Sequence, residues 1–289
     1  MAESFDEYVQ NYRKNHRRFF ECPAEAWIDP FRIYGPLYYV GDRQVCVHLI
    51  DTGDGLLLLD AGFTQTVPML VKSITDLGFD PKDIRMILLT HGHYDHMGAA
   101  ELFRELYGCK LAISCVDAEL IRTRDDFALT TLCREVTPLF KAPEDYDLLI
   151  EDGDTYVQGN VSIRMELTTG HTPGVLTFLF DVTEDGVTKR AGLVGGVGQE
   201  AMRTYFLDHF DLPHTIPETL IQKAEALKSE HVDIHLGNHP PDNAILKKRE
   251  EQIRSGGNPF IDPAEWERFL SDLQAKTRET MRKSELAAR

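Results

Sequence analysis

The feature that most constrains this chain is a nine-residue stretch at positions 90–98, with the sequence THGHYDHMG. It places three histidines and one aspartate within six residues, namely His91, His93, Asp95 and His96. In an extended segment alternate side chains point the same way, so His91 and His93 face one point. Asp95 and His96 then turn toward a neighbouring point. Imidazoles with one carboxylate suit borderline metals such as zinc. The spacing therefore favours two adjacent metals that share one loop.

The cluster lies between a predicted strand and a predicted helix. Residues 84–89 are almost continuously apolar, as in a buried strand, and residues 98–107 have the period of an amphipathic helix. A strand-to-helix loop can aim several side chains at one point. The alternative is that these residues only pack, but three imidazoles and a carboxylate are costly to desolvate without partners. We therefore interpret the cluster as a metal site.

Two further histidines also follow predicted strands. A strand at 161–167 leads into the sequence GHTPG at 170–174, which contains His171. A strand at 232–236 leads into GNHP at 237–240, which contains His239. Elsewhere hairpins and helices alternate, and the apolar strands form two groups that need covering on both sides. Two sheets packed face to face, with helices outside, satisfy that need, so we predict an α/β sandwich.

The predicted elements form one domain over residues 1–289. Residues 1–36 are predicted to be an N-terminal helix and loop, and residues 262–286 a C-terminal helix. The apolar strand at 56–60 is expected to be buried on both faces. Residues 123–147 have no clear period, and we predict either a functional lid or a plain surface excursion. No repeat, low-complexity tract or linker divides the chain.

Charge and composition disfavour several classes of partner. With 47 acidic residues against 31 lysines and arginines, the formal net charge of −16 disfavours nucleic acid and anionic membranes. No apolar run is long enough to cross a bilayer, and the acidic N-terminus lacks the features of a signal peptide, so we expect a cytoplasmic protein. The five cysteines contain no CxxC pair, and we interpret them as reduced, mostly buried thiols. The expected partner is a small-molecule substrate, and no oligomeric state is indicated.

Taken together, the HxHxDH motif at 91–96, GHTPG at 170–174 and GNHP at 237–240 resemble the metallo-β-lactamase superfamily. Their order and spacing cover nearly the whole chain, from Tyr38 onward. The segment at 258–263, NPFIDP, and the helix after it are most similar to the third subclass of class B β-lactamases. The resemblance implies a four-layer αββα sandwich of two mixed sheets with helices outside. It also implies a zinc-dependent hydrolase.

The resemblance implies a site for two zinc ions. The ligands it implies are His91, His93 and His171 for the first zinc, and Asp95, His96 and His239 for the second. Asp60, at the end of the buried strand, matches a carboxylate that orients a ligand or the motif backbone. The alternative for Asp60 is a strand-end turn acceptor. A hydroxide held between the zinc ions would attack a carbonyl, with Asp95 as both ligand and catalytic residue.

Two departures from the family pattern bear on the substrate. Superfamily hydrolases such as glyoxalase II and the lactonases carry a metal-bridging Asp after the strand that ends near Val194, where this chain has Gly195 and Gly196. Third-subclass β-lactamases usually offer serines there for the substrate carboxylate, where this chain has Gly196 and Gly198. Backbone N–H groups of this turn are an alternative anion site. A β-lactam-like cyclic amide is the leading substrate, and an endogenous lactone, ester or amide is the alternative.

Two other functions stay open. An iron-dependent oxidoreductase is disfavoured, because its ligand sets use a bridging Asp or an acid in place of His93. A non-catalytic metal-binding or ligand-sensing module is disfavoured by the complete set of six ligands, since open coordination positions belong to catalytic zinc. Tyr94 is expected to pack. The remaining histidines match no ligand position and are predicted to pack or to lie at the surface: His16, His48, His209, His214, His231 and His235.

Overall fold

The computed structural model describes residues 4–133 and 140–287 of the chain. Their strands form two sheets. The seven-stranded sheet has the spatial order β1 (Phe31–Tyr34), β2 (Leu37–Tyr39), β3 (His48–Asp51), β4 (Leu56–Leu59), β5 (Ile84–Leu88), β6 (Lys110–Ser114) and β7 (Leu148–Ile150). The five-stranded sheet has the order β12 (Ile234–Leu236), β11 (Val187–Val194), β10 (Leu176–Glu184), β9 (Val161–Leu167) and β8 (Thr155–Gln158).

Both sheets are mixed, as expected. In the first sheet β1 to β4 pair antiparallel, and β4 to β7 pair parallel. In the second sheet β8 to β11 pair antiparallel, whereas β12 runs parallel to β11. Parallel neighbours need crossover connections, and these carry most of the helices.

The described α-helices lie mainly on the outer faces of the sheets. Their bounds are α1 (Phe5–Glu21), α2 (Val67–Asp76), α3 (Tyr94–Met97), α4 (Ala100–Tyr107), α5 (Cys115–Thr123), α6 (Thr204–His209), α7 (Ile216–Leu227), α8 (Ile245–Ser255) and α9 (Glu265–Ala287). Among residues 4–133 and 140–287, none of these helices combines the length and apolar character needed to span a bilayer.

Strand β4 shows how the layers are built. Leu57 and Leu59 pack between the sheets, in a core that includes Phe178 and Phe180 of β10. Its other two leucines face the opposite way, toward α2 and α4. On the far side, α7 and α9 cover the second sheet through a cluster that contains Trp266. The four-layer αββα sandwich and the two-faced burial of this strand are therefore confirmed.

Three described elements differ from the sequence predictions. Within residues 1–36, the part predicted as loop is not all loop, because β1 forms there and pairs with β2, with Phe31 opposite Tyr39. Helices α6 and α8 were not predicted at all. The region at 123–147 contains a 3-10 helix at Thr130–Cys133, and residues 134–139 lie outside the described residues, so the lid hypothesis stays a prediction.

Four cysteines are unbridged, of which Cys46 and Cys109 are buried.

Candidate metal centre

The candidate ligands all lie in loops that follow strands. The loop after β5 carries His91 and His93, and α3 begins at Tyr94, so that Asp95 and His96 occupy its first turn. The loop after β9 carries His171, and the loop after β12 carries His239. The six predicted ligands come together at one end of the sandwich, although 148 positions separate the first from the last.

His91, His93 and His171, called here the first triad, converge on one point. One ring nitrogen from each lies within 4.8 Å of the others. Nδ1 of His93 is 2.9 Å from Nε2 of His171. Nε2 of His91 is fully buried and has no hydrogen-bond partner. A buried, unpartnered imidazole nitrogen is unfavourable in a folded protein unless something binds it.

Asp95, His96 and His239, called here the second triad, form a near-equilateral triangle of ligand atoms. Nε2 of His96 is 3.3 Å from Nε2 of His239 and 3.4 Å from Oδ2 of Asp95. The third side, from Nε2 of His239 to Oδ2 of Asp95, measures 3.5 Å. Around a tetrahedral zinc with bonds of about 2.0–2.1 Å, ligand atoms are about 3.3–3.4 Å apart. The triangle therefore fits one zinc-sized ion.

His91 links the two triads. Its ligand nitrogen lies within 4.8 Å of the ligand atoms of Asp95 and His96, as well as of those of the first triad. Two metal ions in one catalytic site are about 3.5–4 Å apart, which requires their ligand shells to adjoin in this way.

In four of the five histidines, the ring nitrogen that faces away from the site is held by a partner. Nδ1 of His91 contacts the Thr90 hydroxyl, and Nδ1 of His96 contacts a carboxylate oxygen of Asp60. Nδ1 of His171 contacts the Gly198 carbonyl, and Nδ1 of His239 contacts the Gln44 carbonyl. All four distances are 2.8–3.0 Å. Such contacts fix the tautomer and the ring orientation of metal-binding histidines. In each of these rings, Nε2 is left to face the site.

Asp60 connects the ends of β4 and β5. Its carboxylate accepts hydrogen bonds from the Thr90 backbone N–H at 2.7 Å and from the Thr90 hydroxyl at 2.9 Å. It lies 2.9 Å from Nδ1 of His96 and accepts a bond from the Asn238 amide at 3.2 Å. Asp60 thus contacts both a candidate ligand and the backbone of the motif, which are the contacts expected of an orienting carboxylate.

The two triads hold different charges when no metal is bound. Burial lowers the pKa of His171 to about 4 and, with the neighbouring imidazoles, holds the pKa of His91 and His93 well below the usual range. For His96 burial acts in the same direction, but the carboxylates of Asp95 and Asp60 outweigh it and raise the pKa to about 10. The first triad is therefore neutral and ready to bind a cation, whereas a metal in the second triad must displace a proton.

The charge of Asp95 follows from the same contacts. Burial alone would raise the pKa of its carboxyl group, but the neighbouring His96 and His239 outweigh burial and hold that pKa well below its usual range. The carboxylate is therefore ionised at neutral pH.

The glycine turn after β11 packs against the first triad. A Cβ atom at Gly198 would lie 2.7 Å from Cε1 of His171, and one at Gly196 would lie 3.0 Å from Cδ2 of the same ring. At Gly195 it would lie 2.4 Å from both Cβ of Thr90 and the carbonyl oxygen of Leu176. The N–H of Gly195 already donates to that carbonyl. The His171 ring, the Thr90 side chain and the Leu176 carbonyl thus occupy the space in which a side chain would have to fit.

Two partners of the candidate ligands had no role in the sequence analysis. Thr90 and Asn238 match no ligand pattern in the sequence, yet Thr90 contacts both Asp60 and His91, and Asn238 donates to Asp60. The available signal was position, since each directly precedes a candidate ligand. Tyr94 packs as predicted, with its ring against Phe63 and Phe140.

Comparison with protein families gives one match that covers half of the chain. The model of the metallo-beta-lactamase superfamily matches residues 40–187. Among curated proteins, the chain is 29% identical over 160 residues to a probable polyketide biosynthesis zinc-dependent hydrolase of Bacillus velezensis, covering 54% of this chain and 57% of the relative. It is 33% identical over 122 residues to a probable metallo-hydrolase of Burkholderia pseudomallei, covering 42% and 38%. The chain thus spans less than two thirds of either relative.

Solved structures match over most of the chain. BJP-1, a subclass B3 metallo-beta-lactamase of Bradyrhizobium japonicum, aligns with a TM-score of 0.76 and 25% identity, covering 91% of this chain and 97% of its own. The native FEZ-1 metallo-beta-lactamase of Legionella gormanii aligns with a TM-score of 0.79 and 26% identity, covering 89% and 97%. These matches agree with the resemblance to the third subclass.

Proposed function

The chain belongs to the metallo-beta-lactamase superfamily, and on that premise we propose that it is a hydrolase that uses two zinc ions to cleave a carbonyl substrate. The observation that carries the proposal is the second triad, whose three ligand atoms are 3.3–3.5 Å apart. Hydrogen bonding alone does not require this triangle, whereas a tetrahedral cation does. Two of the relatives, a probable zinc-dependent hydrolase and a probable metallo-hydrolase, support the same proposal.

The proposed ligands are those named from the sequence. The first triad would hold one ion, and the second triad the other. When bound, a pair of zinc ions supplies Lewis acidity, which polarises a carbonyl and lowers the pKa of a coordinated water to about 7. Asp95 presents Oδ2 to His96 and His239. Its other oxygen is the natural acceptor for a hydrogen bond from the attacking water, because the carboxylate is ionised.

The remaining residues of the site orient these groups. Asp60 holds the ring of His96, and the carbonyls of Gly198 and Gln44 hold the rings of His171 and His239. On the side of the first triad, Phe127 lies 6.1 Å from the ring of His93, measured between centroids, and is almost fully buried. This apolar contact keeps water from the back of the first triad.

We propose two classes of substrate. The first is a β-lactam-like cyclic amide, because solved metallo-beta-lactamases match the chain over most of its length. One observation favours the second class, an endogenous lactone, ester or amide. At Gly196 and Gly198 the ring of His171 leaves little room for a side chain, so this turn offers no hydroxyl to a substrate carboxylate. A hydrolase without that anchor would suit a substrate that lacks the carboxylate.

The test is a panel of hydrolysis assays on zinc-loaded protein, with nitrocefin, a carbapenem and simple lactones. We expect two zinc ions per chain and turnover of at least one substrate class. Asp95→Asn and His93→Ala should lose metal and lower turnover by more than about 100-fold, beyond the range seen when an outer-shell partner is lost.

The matched control is His231→Ala, since His231 is an exposed histidine outside both triads. It should keep the metal content and turnover of the parent. Full turnover by either ligand variant would show that the assignment is wrong. Purified protein that holds iron and has redox activity would instead favour the oxidoreductase.

A further inference from the structure

A buried carboxylate outside the candidate metal centre joins the two loops that carry the first triad. Asp117, in the first turn of α5, has no exposed surface. Its carboxylate accepts hydrogen bonds from the N–H of Gly92 at 2.8 Å, the hydroxyl of Thr172 at 2.7 Å and the N–H of Gly174 at 2.7 Å. Gly92 lies between His91 and His93, and Thr172 follows His171. One side chain therefore holds both loops that carry the first triad.

The contacts of Asp117 are not those of a helix cap. The N-cap of α5 is Ser114, whose hydroxyl accepts a bond from the backbone N–H of Asp117 itself. The three donors to the Asp117 carboxylate all come from outside α5. No cation bonds to it among the described residues, so three neutral donors balance this buried charge.

The two loops approach α5 closely, and at Gly174 the approach leaves no room for a side chain. A Cβ atom at Gly174 would lie 2.2 Å from the Ser114 hydroxyl and 2.4 Å from a carboxylate oxygen of Asp117. At Gly92 it would lie 2.8 Å from the end of the Ile121 side chain. The loops therefore rest directly on the first turns of α5, and the helix serves as a common reference surface for both.

We propose that Asp117 is a positioning residue that sets the distance between the two loops of the first triad and so determines metal affinity there. This inference rests on the proposed function. The ligands belong to loops about 80 residues apart, and nothing in the chain's covalent connection fixes their spacing. Asp117 supplies that connection through a single carboxylate, and removing it leaves both loops with unpaired buried N–H groups.

The test measures Co²⁺ binding in a His239→Ala background, which keeps the first triad intact and weakens the second. Asp117→Ala should weaken Co²⁺ binding by about 10–100-fold, as for other residues that orient metal ligands. Thr172→Val removes one donor of three and should weaken binding by about threefold to tenfold. Thr172→Ser keeps the hydroxyl and should bind as the parent does. The visible absorption bands of Co²⁺ should shift in the first two variants only, since they report ligand geometry.

The matched control is Asp233→Ala. Asp233 is also buried and accepts a backbone N–H, that of Arg190, but it lies at the end of β12 remote from His239. It should lose thermal stability and keep the parent's Co²⁺ affinity. Unchanged affinity and spectrum in both Asp117→Ala and Thr172→Val, or an equal loss in Asp233→Ala, would overturn the role of Asp117. A parent that takes up no Co²⁺ would overturn the metal assignment and this proposal with it.

Discussion

At the scale of single residues, Asp60 combines an unusual backbone with an unusual set of contacts. Its φ of 63° lies in the left-handed region, which few residues other than glycine adopt. Such a conformation is disfavoured by about 1–3 kcal/mol and persists where the surroundings impose it. The hydrogen bonds from Thr90 and Asn238 and the contact with His96 are those surroundings. The strained turn aims the carboxylate at the second triad.

We predict that Asp60→Asn will weaken metal binding by the second triad without unfolding the protein. Asparagine tolerates the left-handed conformation. Its amide N–H₂ group, however, would face groups that now donate hydrogen bonds to the carboxylate, and it cannot accept those bonds. The affinity for Zn²⁺, measured by competition with a chelator in a His171→Ala background, should fall by about 10–100-fold.

Asp185→Asn is the matched control for this substitution. Asp185 also has a positive φ, of 50°, but it lies exposed in the hairpin turn between β10 and β11. It should leave Zn²⁺ affinity unchanged. Equal affinity in the Asp60 and Asp185 variants would mean that Asp60 serves the turn and not the metal site.

At the scale of elements, the sequence predicts the helices and strands whose apolar residues recur at a regular period. The strands near the motifs and the last helix were found because their apolar residues recur at the period of the element. Helix α8 was missed because only its first residue, Ile245, is buried. Its polar sequence forms local pairs such as Arg254 with Glu251, and the stop at Gly256, with φ of 71°, was the one readable signal.

The same limit applies to the candidate site. The resemblance of the three motifs to the superfamily implied the six candidate ligands, because metal ligands recur in recognisable patterns. Asp117 has no such pattern, since its partners are backbone groups in two loops that only the folded chain brings together. Strand β1 was missed for a related reason, as pairing with β2 defines it more than its own four residues do.

Helix α1 is connected to the first triad by a row of aromatic rings. Phe5 packs edge-on against Phe210 with centroids 5.3 Å apart, and Phe210 packs against Phe127 at 5.6 Å. Phe127 in turn lies 6.1 Å from His93. The row runs from an N-terminal helix to a candidate ligand, so packing of α1 supports the position of His93.

We predict that Phe210→Ala will impair hydrolysis as well as stability. Loss of a buried phenylalanine should lower the free energy of unfolding by about 3–5 kcal/mol. Because Phe127 loses its support behind His93, kcat/KM should also fall by about 10–100-fold. Urea denaturation and steady-state kinetics measure the two effects.

Phe103→Ala separates stability from activity. Phe103 is equally buried, but it belongs to the cluster between α4 and the first sheet. It should lose a similar free energy of unfolding and keep the parent's kcat/KM at a temperature where both variants are folded. A proportional loss of activity in the two variants would show that the aromatic row only stabilises the fold.

At the scale of the whole molecule, buried histidines outside the metal centre make the fold sensitive to acid. Burial lowers the pKa of both His48 and His235 to about 3. Both ring nitrogens of His235 are buried without a hydrogen-bond partner, and the ring packs against Phe269 and Trp266. As pH falls below about 6.5, the unfolded chain takes up protons that the folded chain cannot accept. The free energy of unfolding must therefore decrease as pH is lowered.

We predict that each of these two histidines lowers the free energy of unfolding by about 2 kcal/mol between pH 7 and pH 5. His235→Leu should remove its share and flatten the pH dependence. Glu265, 4.0 Å from Nδ1, and the cation of Lys248 face this ring, and burial raises the pKa of the Glu265 carboxyl group above its usual value. Urea denaturation at several pH values, with a chelator present, measures the slope. His231→Leu, at an exposed histidine, should keep the parent's slope, and an unchanged slope in the His235 variant would contradict the prediction.

The crowded glycine turn after β11 also limits how this protein can evolve. Glycine and aspartate codons can differ by one nucleotide, so a carboxylate at position 195 or 196 is genetically close. At 195 its Cβ would lie 2.4 Å from that of Thr90, and at 196 it would lie 3.0 Å from a ring carbon of His171. A side chain at 195 would require Thr90 and the Leu176 carbonyl to move apart, and one at 196 would require the ring of a candidate ligand, His171, to shift. The ligand set with a bridging Asp and the ligand set of this chain thus differ by few nucleotides, but the change between them requires the site to rearrange. New substrates would be reached more readily by changes in the surrounding loops.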